Sequence, residues 1–82
     1  MNDDDCRKAH RHSSAHRDEI LQSKICGCFY CRTIFSPEKI ETWLAEEGTA
    51  LCPYCEVDSV IGDASGYEIN IQFLREMHRK WF

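Results

Sequence analysis

No run in this chain approaches the roughly 18 apolar residues of a membrane-spanning helix, so no membrane partner is expected. The first residues, Met1 to Asp5, are acidic and polar and lack the apolar centre of a secretory signal. Without an export signal the expected compartment is a reducing cytoplasm, where thiols bind metal more readily than they pair. Positive charge is also in short supply. The formal net charge is −4, which argues against general nucleic-acid binding by charge alone. The chain is short as well: 82 residues make one domain at most and cannot bury a large core. Domains of this size usually add a staple, either disulfides or a metal.

Cysteine is what the chain has in plenty. Four of its six cysteines form two C-x2-C pairs, Cys28/Cys31 in C-F-Y-C and Cys52/Cys55 in C-P-Y-C, with twenty residues between them. That is the spacing of a four-thiolate zinc site in a small domain. Loaded with a divalent ion, the four thiolates would make the chain more acidic still. A catalytic zinc keeps an open position on about three protein ligands, whereas four cysteines close the shell, so one structural ion is expected. The zinc-deaminase pattern, H-x-E with P-C-x-x-C, fails: the order here is Cys52-Pro53-Tyr54-Cys55, and Glu19 stands third after His16. A thioredoxin-type redox centre needs one pair opening a helix in a βαβ frame, and here two pairs precede short strands or turns. Rubredoxin-type iron uses similar turns, which leaves iron as the second candidate for the ion. Cys26, two residues before Cys28, has two readings: a buried free cysteine, or an exchanging or redox-sensitive thiol at the lip of the site. Cys6 reads as a free, incidental thiol.

Along the chain, residues 1–13 hold almost no large apolar side chains and read as a flexible tail. A single zinc-binding domain is expected over 14–82. It opens with a short helix from Ser14 to Lys24, capped by Ser13 or Ser14, with Asp18 and Glu19 at its positive end and Ile20 and Leu21 as its apolar patch. Lys24 to Phe35 should form a hairpin around the first cysteine pair. Ser36-Pro37-Glu38 is a helix-start signal, Ile40, Trp43 and Leu44 fall at i, i+3, i+4, and Gly48 reads as a left-handed cap. A helix between the cysteine pairs is therefore expected there, with Glu38, Glu41, Glu46 and Glu47 on its wet side. Val57 to Ile61 reads as a strand and Gly62 to Gly66 as a turn. A last helix is expected over 70–81, with Ile71, Leu74, Met77, His78 and Trp81 on its packed face and Phe73 bordering it. The fold class is α+β: two cysteine knuckles sharing one ion over a core of 26–61, an inserted helix, and a packed C-terminal helix.

Function has three candidate classes. The first is a protein-interaction or regulatory module displayed on the metal-held scaffold, with Trp43 or Trp81 in an exposed patch and a protein as partner. The second is a nucleic-acid-binding ribbon. It would use the basic ends (Arg7, Lys8, Arg11 and Arg17 among His10, His12 and His16; Arg75, Arg79 and Lys80) and stacking by Phe29, Tyr30 and Tyr54. Those rings can equally cover the metal site. The third is an enzyme in which His16, Asp58, Asp63 and His78 converge, although aspartates beside turns and a histidine on an apolar face are commonly structural.

Several blocks carry a resemblance: C-G-C-F-Y-C (Cys26 to Cys31), F-S-P-E-K-I (Phe35 to Ile40), the stretch from Thr49 to Tyr67 and the terminal F-L-R-E-M-H-R-K-W-F (Phe73 to Phe82). They resemble a family of small, uncharacterised bacterial "cytoplasmic proteins", and the likeness spans most of Cys26 to Phe82. The resemblance implies a cytoplasmic location and supplies no activity. The cysteine pairs alone are similar to those of zinc ribbons and rubredoxin-like domains, which often contact nucleic acid or protein. Glu56 departs from that pattern, since many such knuckles carry Gly after the second cysteine.

Overall fold

The N-terminal segment departs from the expectation of a flexible tail. In the computed structural model, which describes residues 2–44 and 48–82, Asp3–His10 form helix α1. Asn2 caps it, its side chain accepting from the Asp5 amide at 2.9 Å. Asp3, Asp4 and Asp5 sit at the positive end of the helix dipole, and Arg7, Lys8 and His10 at the negative end. Small side chains hold it down. Cys6 and Ala9, at i and i+3, are buried against helix α3 (Ile71–Trp81), where large residues would keep the two backbones apart. Asp3 adds an ion pair to Lys80 of α3 at 3.5 Å.

Helix α2, Arg17–Gln22, is shorter than the sequence suggests. It starts at His16 without a side-chain cap, after Ala15 in a left-handed conformation (φ 47°). Asp18 and Glu19 do occupy its first turn, Ile20 is buried and Leu21 is exposed.

Strand β1 (Cys26–Cys28) is the centre of a three-stranded antiparallel sheet, flanked by β2 (Ile34–Phe35) and β5 (Val60–Gly62). Cys26 pairs with Phe35 on one side and Gly62 on the other, and Cys28 pairs with Val60. The hairpin expected around the first cysteine pair is thus present. The alternation of strand side chains sorts two cores. Cys26, Cys28 and Val60 join Ile20, Phe35, Ile40, Ala50 and Cys52 on one side, while Ile61 joins Phe29, Ile69, Phe73, Leu74 and Met77 on the other. Gly27 lies on the second side, and a Cβ there would come within 2.9 Å of Ile69 Cγ2 and Leu74 Cδ1. Glycine is what lets α3 settle onto the sheet.

The stretch 36–48, expected as a helix, is not one among the described residues. Pro37–Lys39 make a single 3₁₀ turn, and β3 (Trp43–Leu44) pairs with β4 (Thr49–Ala50) as an antiparallel hairpin. The Leu51 amide extends the hairpin by donating to the Thr42 carbonyl at 3.0 Å. Glu46 and Glu47 lie outside the described residues. Gly48 has the left-handed φ expected of it (67°), but it closes a hairpin turn rather than a helix. The physical reason is that one stripe of Ile40, Trp43 and Leu44 is too little to hold a three-turn helix, which is marginal alone. The β-branched and aromatic pair Thr42–Trp43 favours an extended chain. As a hairpin the segment buries Ile40 and Ala50, places the Arg17 guanidinium 5.0 Å from the Trp43 ring and leaves Leu44 exposed.

Helix α3 spans Ile71–Trp81, with the Asn70 side chain accepting from the Phe73 amide at 2.8 Å. Its buried face is Phe73, Leu74 and Met77, rotated from the expected stripe, and Ile71 and Trp81 are left exposed. Among the described residues, no helix is long and apolar enough to cross a membrane.

Candidate metal centre

The two C-x2-C turns are built alike. In each, the amide of the first cysteine donates to the carbonyl five residues on: Cys28 to Thr33 and Cys52 to Val57, both at 3.0 Å. The residue after the second cysteine donates back to the first: Arg32 to Cys28 at 2.7 Å and Glu56 to Cys52 at 2.9 Å. Closing so tight a loop requires a left-handed residue at that last position, and Arg32 (φ 63°) and Glu56 (φ 66°) both adopt it. The departure noted at Glu56 therefore has a twin at Arg32. The second turn differs only in its flanks, because β4 pairs with β3 and β5 with β1.

This construction gathers Cys28, Cys31, Cys52 and Cys55, whose sulfurs all lie within 4.8 Å of one another, a spacing that could hold a metal ion. Two pairs that bridge the turns, Cys28 to Cys55 and Cys31 to Cys52, are each 3.6 Å apart. Polar groups surround the sulfurs. The Tyr54 amide donates to Cys52 Sγ at 3.4 Å, Ser59 Oγ lies 3.0 Å from Cys28 Sγ, and the Cys31 thiol donates to Thr33 Oγ1 at 3.3 Å. Burial pushes the Cys28 thiol up, against the pull of the Ser59 hydroxyl and the Cys31 and Tyr30 amides. Burial likewise raises Cys55. Cys31 comes down to about 7: burial opposes, but the Thr33 hydroxyl and amide and the Cys52 and Cys55 sulfurs outweigh it. Four soft donors, most with a hydrogen-bond donor aimed at them, are a chemically fitting set for a thiophilic ion.

The other cysteines stand apart. Cys26 is fully buried beside Ile20 and Phe35, and burial, then Asp63, pushes its thiol up to about 12. It is a packed core residue rather than a reactive thiol at the lip. Cys6, expected in a tail, is packed under α3.

The four candidate catalytic residues are not brought together. His16 is buried with both ring nitrogens engaged: Nδ1–H donates to the His12 carbonyl (2.6 Å), and Nε2 accepts from the Ala50 amide (3.1 Å). It pins α2 to β4, and burial lowers its pKa. His78 Nδ1 lies 3.1 Å from the Phe29 carbonyl. Asp63 accepts from the Lys24 amide at 2.9 Å as a loop tie. Asp58 is exposed; His16 and Asp58 line two different cavities, and neither of these includes Asp63 or His78. Of the rings proposed to stack on bases, Phe29 is buried, Tyr30 packs edge-on to Phe82 and Tyr54 leans on Phe35. Among the basic residues, Lys8 pairs with Asp4, Arg79 with Glu76 and Lys80 with Asp3.

Ser59, Thr33 and Arg32 escaped the reading of the sequence. Their signal was position: a hydroxyl two residues after Cys31, another four after Cys55, and a non-glycine after Cys31. Compared with family models, curated proteins and solved structures, the chain matches none of them, so its functional reading rests on its own residues.

Proposed function

We propose that the chain is a protein-interaction module built on one structural zinc ion held by Cys28, Cys31, Cys52 and Cys55. The observation that carries the metal assignment is the sulfur cluster. Sulfur separations of 3.6 Å are close to the edge of about 3.8 Å expected for thiolates set tetrahedrally at ~2.3 Å from zinc. Four protein sulfurs leave no coordination position for substrate, so the ion would serve folding. Two features support interaction as the task. Tyr30, Trp81 and Phe82 form an exposed aromatic patch at the end of α3, and the carboxylates paired with Lys8, Arg79 and Lys80 blunt the attraction of the basic ends for nucleic acid.

Metal analysis of the purified chain tests the first part. One zinc per chain, replaceable by cobalt with a thiolate-to-metal absorption band, is the expected result; iron, or no stoichiometric metal, overturns it. For the second part, a pull-down is run with wild type and with a Tyr30→Ser/Phe82→Ser variant that keeps its zinc. A partner retained by the first and lost by the second is expected, and one retained equally by both removes the patch.

A further inference from the structure

Where the C-terminal ends of α1 and α3 meet Phe29 and the Asp58–Ser59 segment lies a cavity of about 250 Å³. Its walls are of two kinds. Phe29, His10, Trp81 and Phe82 supply aromatic rings, and Asp58 and Ser14 supply polar groups. The rings do not form a flat platform. His10 is tilted 41° to Trp81 with centroids 4.1 Å apart, and Phe29 is tilted 45° to Phe82 at 5.9 Å. None of the ion pairs among the described residues uses Asp58. The neighbouring hydroxyls of Ser13 and Ser59 are already committed, to the His10 carbonyl at 2.6 Å and to Cys28 Sγ at 3.0 Å.

We infer that this cavity is a recognition pocket for one arginine side chain of a partner protein, with Asp58 as its charge partner and the rings of Phe29, Trp81 and Phe82 as its walls. Three observations choose this occupant. The volume falls below the roughly 300–1,000 Å³ of pockets for whole small ligands, which suits a single side chain. A lone exposed carboxylate beside aromatic rings is complementary to a guanidinium, which can take the carboxylate in a fork and lie against a ring. A nucleotide is the poorer fit, because the charged group on the pocket wall, Asp58, is a carboxylate that repels phosphate. The net charge of −4 favours a basic segment over an acidic one. This inference rests on the interaction-module reading and names its partner chemistry.

The test uses the full, zinc-loaded chain labelled with ¹⁵N and titrated with the blocked peptide acetyl-Gly-Arg-Gly-amide, followed in amide and indole correlation spectra. Saturable shifts are expected at the Trp81 indole N–H and at the amides of Ser14 and Asp58. The citrulline counterpart, of the same shape without charge, should bind about tenfold more weakly, and Asp58→Asn should weaken the arginine peptide about tenfold. Asp58→Glu, which keeps the charge, should restore part of the loss. Equal binding of the citrulline peptide, an unchanged affinity in Asp58→Asn, no saturable shift at these groups, or a stronger response to guanosine monophosphate overturns the pocket. Zinc content is measured on the same samples. A chain that holds its zinc and its pull-down partner but ignores arginine refutes this pocket alone, whereas a chain without stoichiometric zinc refutes the scaffold reading.

Discussion

Ser59 is 2 % exposed, and its hydroxyl lies 3.0 Å from Cys28 Sγ. A buried thiolate costs free energy unless donors face it, and this hydroxyl is the side-chain donor for the most deeply enclosed of the four sulfurs. Ser59→Ala should leave the fold in place and lower metal affinity roughly 10–100-fold, as loss of such supporting hydrogen bonds does at metal sites. Competition against a chelator of known affinity measures it, and an unchanged constant would reduce the contact to packing. His16 makes a second prediction at this scale. Burial lowers its pKa below the ordinary 6.5, so the unfolded chain binds the proton more readily than the folded one. Stability from the neutral ring is therefore full above about pH 6.5 and falls as the pH drops below it. His16→Gln does not titrate. With metal saturating, the stability gap between wild type and His16→Gln should narrow from pH 7.5 to pH 5.5 in denaturant titrations, and a constant gap would show that the ring's protonation is not linked to folding.

Among the elements, α1 is the one that sequence patterning hides. Its buried residues are Cys6 and Ala9, too small to register as an apolar face, although Asn2 followed by three aspartates and then Arg7 and Lys8 is a capped, dipole-matched helix start. Ala9 has no exposed surface, and it faces the packed side of α3. Ala9→Leu should cost about 1–3 kcal/mol through overpacking, read as a lower midpoint in urea. In a loose tail the same change would be silent. The sulfur cluster, by contrast, was plain in the sequence, because C-x2-C spacing is set by local turn geometry and needs no tertiary information. So was α3, through Asn70 and its apolar period, with Leu74 and Met77 buried as expected; Phe73, expected at the border of the face, turns fully inward in place of Ile71 because it packs on Tyr67 in the cluster that holds Phe29. The hairpin of Trp43–Ala50 was illegible for the opposite reason. Its local signals, Ser36-Pro37-Glu38 and Gly48, are shared by helices and turns. What selects the hairpin is long-range: His16 Nε2 takes the Ala50 amide, Thr49 Oγ1 takes the Ala15 amide, and the Gly48 carbonyl takes the His16 amide.

At the scale of the whole molecule the question is whether the metal half and the helix half are separate. Their cores are distinct clusters, but they lie on opposite faces of the same two strands. Val60 serves the sulfur side and Ile61 the helix side, while Cys28 is a sulfur donor and its neighbour Phe29 is core for α3. Neither strand is longer than three residues, so neither can persist as half a sheet. Structural zinc contributes apparent binding energies of ~10–16 kcal/mol in small domains, comparable to the about 5–15 kcal/mol that is the whole stability of a typical fold. If the sulfur cluster holds such an ion, its removal would leave four neighbouring sulfurs without a partner. The loss should then spread beyond residues 26–61 to α1 and α3. Chelation, or Cys52→Ser, is expected to abolish the far-ultraviolet helical signal and the near-ultraviolet tryptophan signals of Trp43 and Trp81 in one transition, with readdition of metal restoring both to the unsubstituted chain. If the helical signal and Trp81 survive while Trp43 is lost, α1, α3 and their half of the sheet stand on their own core, and the ion stabilises only the ribbon that carries it.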